Sequence, residues 1–305
     1  KYLYRHGKEF DVIHIHSWWN FLVLVSAFIC YLQGFKVVVA PRGMLSDYTL
    51  KSKNALFKKA LHHFGGSQLL SKSYLHATSE PEYEECRHLI RGWKGFVVPN
   101  ILRLPDIPIV KIQNDVYTVL FLGRVDPKKG LELLFEVISE FDQNIVLKIA
   151  GSGSQQYIAE LKQQAQNLGI ASKVQWLGWL SREEKFVELM NADLYALISH
   201  NENFANAVVE SLHMGTPVLI SQEVGLSGWV KNRNMGWVCS RELMDVKKKL
   251  FLAMREVDKR HYVHAMGRVN VSAHFSERDL ISRYVEEYSN VVGGNVRLGE
   301  GQVRI

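Results

Sequence analysis

Cysteine is scarce in this sequence. Its 305 residues include only Cys30, Cys86 and Cys239, which lie far apart and form no Cys-x-x-Cys pair. This scarcity argues against a disulfide framework and against a cysteine-based zinc site. It indicates buried or unreactive thiols in a reducing compartment.

Long apolar runs are also lacking. The longest covers residues 21–32, whereas a transmembrane helix needs about twenty apolar residues, so we predict a buried helix there. The opening residues, KYLYRHGKEF, are polar and basic and lack the apolar stretch of a secretory signal. We therefore expect a cytoplasmic protein, with peripheral attachment at the inner face of the cell membrane as a further option.

Acidic residues are under-represented in the first part of the chain. Residues 1–112 carry 15 Lys and Arg against 8 Asp and Glu, a net +7, and residues 113–305 carry 22 against 23, a net −1, which together give the overall +6. Such a basic half suits anionic lipid head groups or an anionic acceptor; a basic solvated surface is the alternative. Nucleic acid is not expected as a partner, because no recognised binding signature accompanies the charge.

Two nucleotide-binding patterns are absent. No Asp-x-Asp pair occurs, so we expect neither a metal-bridged diphosphate site nor any metal or other cofactor. The turn Gly151-Ser152-Gly153 suits close approach of a phosphate or nucleoside, but Gln156 stands where a dinucleotide fingerprint needs its third glycine. An NAD site is therefore only weakly supported.

Short apolar runs alternate with amphipathic stretches along the whole chain. This pattern predicts an α/β fold with parallel sheets and crossover helices. Residues 103–116 contain two prolines and no helical period, and are the best linker candidate. We predict a first domain over 1–112 and a second over 113–278, with helices at about 279–305 packing back on the first.

The first domain is predicted to be incomplete. The chain opens on what reads as a mid-domain strand, and the early strand and glycine-rich turn of a complete Rossmann-like domain are missing. We therefore expect an N-terminal truncation of about half a domain.

Several polar residues follow predicted strands of the second domain, where ligands of parallel sheets bind. In the run FLGRVDPKKG, Arg124 and Lys129 flank a loop into a helix and have the charge to hold a diphosphate. In ENFANAVVE, Glu202 and Glu210 are suited to accept hydrogen bonds from sugar hydroxyls. Each motif, taken singly, has a structural alternative. Arg124 and Lys129 could be surface cations near a turn, and the run from Glu202 to Glu210 could be a capped helix with one buried acid.

The strand around His14-Ile15-His16 places two histidines on one face, and His16, at its end, could reach into a cleft. Metal binding by the pair would need further ligands, to which the sequence does not point. A structural histidine is the alternative.

Together these stretches resemble the group 1, or family 4, glycosyltransferases. The likeness covers nearly the whole chain, from HIHSWWN and APRGM through HATSEPE, VVPN, LGRVDPKKG, IAGSGS and LGWL to ENFANAVVESLHMGTPVLIS. It implies the GT-B fold, with two Rossmann-like, doubly wound parallel-sheet domains facing a central cleft. The Glu-x7-Glu element, with the Gly-Arg…Lys-Gly loop upstream, is its most specific part.

The resemblance also implies roles on the donor side. Arg124 and Lys129 would bind the diphosphate of a UDP- or GDP-sugar. Glu210 would hold the ribose, and Glu202 the transferred sugar. Backbone amides would come from three consecutive residues: Asn203, Phe204 and Ala205.

Other roles implied by the resemblance concern the nucleoside and the acceptor. Gly153 would lie close to the nucleoside, and Trp179 and Leu180 near the base. His16 would face the reacting sugar, and Arg42 and Gly43 would lie on the acceptor side. The catalytic set would be Glu202, His16, Arg124 and Lys129.

The implied reaction is transfer of a hexosyl group to a glycan or lipid-linked acceptor with retention of configuration, in polysaccharide, lipopolysaccharide or other glycoconjugate synthesis. The departing phosphate would take the acceptor's proton, so no enzymic nucleophile is required. Ala205, where the family commonly has glycine, could narrow the donor pocket. A GT-B-like nucleotide-sugar epimerase and a non-catalytic module of a polysaccharide assembly complex remain as alternatives.

Overall fold

The structure is a computed structural model that describes residues 2–51, 55–111, 115–141 and 144–293. It divides into two units. Unit 1 comprises the described residues up to Ile101 together with those from Glu277, and unit 2 comprises Leu102–Ser276. Each unit contains one parallel β-sheet connected by crossover helices.

Unit 1 contains a four-stranded sheet in the order β1-β2-β3-β4. The central strand β2 is buried along its whole length because helices cover both faces of such sheets. The strands are β1 (Ile13–His16), β2 (Val37–Ala40), β3 (Tyr74–Ala77) and β4 (Gly95–Val97). The helices are α1 (Tyr2–His6), α2 (Phe21–Gln33), α3 (Asp47–Lys51), α4 (Ala55–Leu61), α5 (Ser67–Ser71) and α6 (Glu80–Leu89), and the last helix of the chain, Glu277–Val292, returns to this unit.

Helix α2 is delimited by its caps. The Asn20 side chain accepts a hydrogen bond from the Leu22 amide, and Gly34 ends the helix in the left-handed conformation at φ 69°. The prediction of a buried helix is wrong for its outer face. Ala27 and Cys30 lie in the core, but Phe21 and Leu22 are exposed, and a run that is apolar all round gives no periodicity from which burial of each face could be told.

Unit 2 contains a six-stranded sheet in the order β10-β9-β8-β5-β6-β7. Its strands are β5 (Tyr117–Leu122), β6 (Ile145–Ala150), β7 (Val174–Gly178), β8 (Leu194–Leu197), β9 (Val218–Ser221) and β10 (Gly236–Cys239). The last strand, β10, lies between α11 and α12, where the sequence shows no clear strand pattern. Its four residues follow a turn and give too short an apolar run to separate a strand from the neighbouring helices.

Most helices of unit 2 bury one apolar face, and the long helix α13 packs on α10 and α12. They are α7 (Leu131–Ser139), α8 (Gln155–Asn167), α9 (Arg182–Asn191), α10 (Asn206–His213), α11 (Ser227–Asn232), α12 (Leu243–Arg255) and α13 (Val257–Phe275), and Glu277–Val292 is α14. The start of α9 carries a complete capping box between Ser181 and Glu184. No helix in the described part of the chain is both long and apolar enough to cross a membrane.

The segment predicted as a linker belongs with unit 2 as far as it is described. Its backbone carbonyls are bonded there, at 2.7 Å from His213 Nε2 to Pro105 O and at 2.7 Å from an Arg268 guanidinium nitrogen to Ile107 O. Lys111 Nζ donates to Asp193 Oδ1 at 2.7 Å. The unit boundary accordingly falls at residue 101 rather than at the predicted residue 112.

Candidate functional site

The candidate site lies where the chain of unit 2 changes direction across its sheet. From β5 the chain builds outward through β6 and β7, then returns to β8 on the other side of β5 and continues outward. The loops after β5 and β8 therefore leave adjacent strands toward opposite faces. This opening at the carboxyl ends of the strands is where ligands bind in open α/β sheets.

The loop after β5 is shaped by one close approach of its backbone to β8 and by one side-chain cap. Gly130 lies at φ 69°, and a Cβ there would be 2.1 Å from the Ile198 carbonyl oxygen at the end of β8. Asp126 Oδ1 accepts from the Lys128 amide at 3.0 Å and caps a single turn of 3₁₀ helix. These contacts hold the Lys128-Lys129 pair beside the β8 loop.

Lys129 and Glu202 form an ion pair across this opening, and both side chains are largely buried. The backbone of Glu202 is fixed in turn, because its amide donates to Glu223 O at 3.1 Å and its carbonyl accepts from the Gly225 amide at 2.7 Å. Burial lowers the pKa of Lys128, whereas Glu202 acts to raise it. The Glu202 carboxylate therefore acts on both cations of the loop.

Ala205 begins helix α10 in the left-handed conformation, at φ 69° and ψ 75°. The left-handed conformation raises the free energy of an L-residue by about 1–2 kcal/mol and that of glycine by almost nothing. The departure from the family's glycine is therefore a matter of backbone strain as well as of pocket width. The neighbouring Phe204 packs its ring into the core, 5.7 Å from that of Phe275, and offers only its backbone to a ligand.

Glu210 is held by a lysine that no motif in the sequence marks. Lys185 Nζ on α9 lies 2.7 Å from Glu210 Oε1 on α10, and the two side chains are 23% and 13% exposed. Lys185 occupies an ordinary position on an amphipathic helix, 25 residues from Glu210. No signal in the sequence pairs the two, because only the packing of α9 against α10 brings them together.

A cavity of about 480 Å³ lies beside Lys185 of the second pair, within the size range of small-ligand sites. The Lys185 side chain lies between this cavity and Glu210. Arg124, exposed over 70% of its side chain and 3.6 Å from Asp126, is free to turn toward a ligand. The cavity is lined by residues 122–124, 150–152, 179–182 and Lys185, which include the predicted Arg124, Trp179 and Leu180.

Close packing of the β5 and β6 loops explains the glycines at the cavity floor. A Cβ on Gly151 would be 1.8 Å from the Gly123 carbonyl oxygen, and one on Gly153 would be 2.1 Å from the Val125 carbonyl oxygen. Gly153 and Val125 form a parallel bridge. Gly153 thus lets the two loops run side by side, next to residues 150–152 that line the cavity.

Unit 1 holds a separate cluster of histidines at the carboxyl ends of its strands. The rings of His14 and His16 lie 4.2 Å apart between centroids, and His76 Nδ1 on β3 is 3.3 Å from His14 Nε2. The hydroxyls of Tyr288 and Tyr284 on α14 lie 2.7 Å from His14 Nδ1 and 3.2 Å from His76 Nε2. His14 and His76 are thus structural histidines that tie α14 to the sheet.

Burial keeps this cluster neutral. It lowers the pKa of His14 to about 2, helped by the nearby His16, His76 and Arg42, and lowers that of His76 to about 4. The pKa of His16 is also lowered, first by burial and then by Arg42.

His16 is the exposed member of the cluster, and Arg42 orients it. Arg42, in the left-handed conformation at φ 55°, places Nε and Nη2 each 3.4 Å from His16 Nδ1 and also donates to Asn100. Because a guanidinium only donates, Nδ1 accepts and Nε2 carries the hydrogen of the neutral ring. The Gly43 amide is already used, donating to Glu82 Oε1 at 2.7 Å.

The predicted residues therefore form two groups. In unit 2, Arg124, Lys129, Gly153, Trp179, Leu180, Glu202, Asn203, Phe204, Ala205 and Glu210 lie on the loops and helix N-termini at the carboxyl ends of one sheet. In unit 1, His16, Arg42 and Gly43 lie at the corresponding end of the other sheet. Among the described residues, no group of three or more His, Cys, Asp or Glu is arranged to hold a metal ion.

Comparisons with known proteins agree on one family. The sequence model of the family described as "Glycosyl transferases group 1" matches residues 105–268. An uncharacterised glycosyltransferase of Methanocaldococcus jannaschii is 26% identical over 301 residues, covering 92% of this chain and 75% of that protein. The D-inositol 3-phosphate glycosyltransferase of Mycolicibacterium smegmatis is 34% identical over 118 residues, covering 38% of this chain and 27% of that protein.

Solved structures share the fold. Sucrose-phosphate synthase from Thermosynechococcus elongatus superposes with a TM-score of 0.78 at 19% identity, over 95% of this chain and 76% of that one. The Anabaena protein HepE, in complex with UDP and glucose, also superposes with a TM-score of 0.78 at 19% identity, over 94% and 80%. These likenesses show the GT-B fold.

Proposed function

The chain belongs to the group 1 glycosyltransferases, which use nucleotide-sugar donors, and we propose that it moves a hexosyl group from a UDP- or GDP-sugar to a hydroxyl acceptor with retention of configuration. The observation that carries this proposal is the set of two ion pairs, Lys129–Glu202 and Lys185–Glu210, at the carboxyl ends of one sheet, with Lys185 of the second pair lining a cavity. The first pair offers a cation suited to phosphate, and each pair offers an acid suited to hydroxyls.

Donor binding would rearrange the first pair. A diphosphate entering beside Lys129 competes with Glu202 for the ammonium group, and Arg124 adds a second cation. Glu202, released from Lys129, then accepts hydrogen bonds from hydroxyls of the sugar. The exchange couples phosphate binding to sugar recognition, because neither partner is left as an unpaired buried charge.

The second pair would act on the nucleoside. Lys185 occupies one carboxylate oxygen of Glu210, which leaves the other oriented toward the ribose hydroxyls. We assign Lys185 as a positioning residue for Glu210. Trp179, which is 75% exposed, offers its ring to the base, and Gly153 lets the β5 and β6 loops pack together beside the cavity.

Catalysis would come from charge stabilisation and positioning. As the bond between sugar and phosphate loosens, Arg124 and Lys129 stabilise the leaving diphosphate, and a departing phosphate oxygen takes the proton of the acceptor hydroxyl. This chemistry needs neither an enzymic nucleophile nor a metal. His16, with its hydrogen on Nε2, would donate to an oxygen of the reacting sugar, and Arg42 would keep it in that form.

On the acceptor side we propose a glycan or lipid-linked hydroxyl, with the protein working in glycoconjugate synthesis at the inner face of the cell membrane. The basic charge of residues 1–112 supports an anionic acceptor or surface.

A panel of UDP- and GDP-sugars, followed by product release and the anomeric configuration of the product by NMR, tests the proposal. We expect one donor to be turned over with retention. Glu202→Gln should lower turnover at least tenfold while leaving binding of the bare nucleotide unchanged or tighter, because Lys129 is then free for phosphate. Lys148→Met is the control, because Lys148 on β6 forms an ion pair with Glu188 on α9 and no residue of the proposed site takes part in it.

Three outcomes would count against the proposal. Inversion of configuration would refute retention. Epimerised nucleotide sugar formed without any acceptor would indicate an isomerase. Absence of nucleotide binding would indicate a non-catalytic module.

A further inference from the structure

A short segment between β8 and α10 carries several of the donor-side residues. It runs from Glu202 to Ala205, lies outside the named helices and strands, and ends in the left-handed backbone of Ala205 at φ 69°. Glycine adopts this conformation readily, whereas another residue keeps it only where the surrounding structure holds it there. The contacts around this segment therefore decide whether its residues stay in place.

The segment is held at its first residue by the loop after β9. The Glu202 amide donates to Glu223 O at 3.1 Å, and the Glu202 carbonyl accepts from the Gly225 amide at 2.7 Å. Glu202 also forms a parallel bridge with Val224, which is fully buried. These bonds fix the start of the segment, but they lie three residues before the strained Ala205.

The strained end of the segment is held through a row of three aromatic rings. The buried ring of Phe204 meets that of Phe275 on α13 edge to face, with centroids 5.7 Å apart and planes at 83°. The Phe275 ring in turn lies 5.1 Å from that of Trp229 on α11. Aromatic rings in such pairs attract each other beyond the effect of burial alone. The residue next to Ala205 is thus attached to two helices.

Helices α11 and α13 give this row a fixed base. Arg233, which follows α11, places Nη2 2.7 Å from His274 Nε2 and donates from Nη1 to Asn270 Oδ1 at 3.4 Å. Helix α13 packs so closely on α10 that a Cβ on Gly267 would be 2.2 Å from the Leu212 carbonyl oxygen. The loop after β9 leads directly into α11, so one frame holds both ends of the segment.

The part of Trp229 that serves the row is its ring and not its polar group. Its Nε1 is buried and has no hydrogen-bond partner among the described residues. A buried donor without a partner disfavours the folded state. Phenylalanine at this position would keep a ring against Phe275 and remove the unpaired donor. The change Trp229→Phe therefore separates stacking from hydrogen bonding.

We propose that Phe275 and Trp229 are positioning residues of the donor site. Acting through Phe204, they keep Ala205 in the left-handed conformation and so keep the backbone amides of residues 203–205 aimed at the sugar and diphosphate of the donor. Without the two rings the Ala205 backbone relaxes to an unstrained conformation, and the amides turn away from the phosphate that they bind. This inference rests on the proposed function, because it concerns binding of that donor.

Calorimetry with UDP and UMP tests the inference, because only UDP has the β-phosphate and the ratio of the two affinities isolates its contacts. GDP and GMP replace them if guanosine nucleotides bind more tightly. Phe275→Leu should lower the ratio by about tenfold or more, as expected for one lost hydrogen bond to a charged group, and leave UMP affinity unchanged. Trp229→Leu, a change at a half-buried ring, should act in the same direction, whereas Trp229→Phe should leave the ratio unchanged.

Rescue by glycine separates positioning from a general loss of stability. Ala205→Gly, added to Phe275→Leu, should recover most of the lost ratio, because glycine takes the left-handed conformation without being held there. Phe141→Leu is the matched control. Phe141 is 5% exposed, as Phe275 is, but it lies before β6 at the amino ends of the strands, where its carbonyl accepts from Lys173. It should leave the ratio unchanged, and circular dichroism shows that each variant is folded.

Three results would overturn the inference. A ratio unchanged in both Phe275→Leu and Trp229→Leu would remove the positioning role and leave the proposed function intact. Equal losses of UDP and UMP affinity that Ala205→Gly does not restore would make the two rings ordinary core packing. Absence of UDP and GDP binding by the unaltered chain would remove the proposed function and this inference with it.

Discussion

Replacing Lys185 with methionine tests the assignment of a residue that only the packing of two helices brought to the site. Lys185 Nζ lies 2.7 Å from Glu210 Oε1, and Lys185 also lines the cavity. Methionine keeps the length of the side chain and its apolar packing but removes the ammonium group. The carboxylate of Glu210 then loses the partner that orients it toward the ribose.

The magnitude follows from the hydrogen bonds that Glu210 is proposed to accept. A hydrogen bond to a charged group contributes about 1.5–3 kcal/mol, equivalent to about a 10- to 150-fold difference in affinity. The unaltered protein should therefore bind UDP more tightly than 2′,3′-dideoxy-UDP by about that factor. In Lys185→Met the ratio should fall below about tenfold, because Glu210 turns away from the ribose or is left poorly oriented.

Isothermal titration calorimetry with the two nucleotides measures this ratio, and the guanosine pair replaces them if GDP is the stronger ligand. Lys148→Met is the matched control, since Lys148 pairs with Glu188 at 2.8 Å, both side chains are 25% exposed, and Glu188 lies on the same helix as Lys185. It should leave the ratio unchanged. A ratio in Lys185→Met equal to that of the unaltered protein would refute the positioning role, whatever happened to overall affinity.

Three further predictions concern charge and backbone strain. Arg124→Ala should weaken nucleoside-diphosphate binding by about 1.5–3 kcal/mol, and unchanged binding by calorimetry would remove Arg124 from the site. Ala205→Gly should stabilise the protein by about 0.5–1 kcal/mol in urea unfolding, because the left-handed backbone at φ 69° no longer strains a Cβ; a loss of stability would contradict this. Acid should destabilise unit 1. A histidine whose pKa is lowered by folding binds fewer protons in the folded chain than in the unfolded chain. The stability that is present above pH 6.5 is therefore lost as the pH falls. From pH 8 to 5, His14 and His76 should each cost about 2 kcal/mol, and His76→Gln should reduce the pH dependence of the urea midpoint.

The layout of unit 2 could be predicted because its strands are buried on both faces. Such strands are short continuous apolar runs bounded by polar turns, as the fully buried strands β8 and β9 illustrate. The loop motifs after β5 and β8 could also be found, since turn glycines and charged residues next to apolar runs are local features of sequence. The exposed face of α2 could not be predicted, because a uniformly apolar run does not show which of its faces is buried. The strand β10 could not be predicted, because so short an apolar run does not separate a strand from a helix.

The sequence alone determined the family, the α/β class, the loops that carry the donor-side residues and the uneven charge, because these depend on residue types and on spacing along the chain. Only the tertiary structure decided which charges meet. Lys129 and Glu202 are 73 residues apart and Lys185 and Glu210 are 25 apart, and their pairing follows from the adjacency of β5 with β8 and of α9 with α10. It also decided that Ala205 is left-handed and that Leu56 and Phe64 are exposed. Contacts between distant residues and the exposure of a surface depend on how elements pack, and no local pattern encodes them.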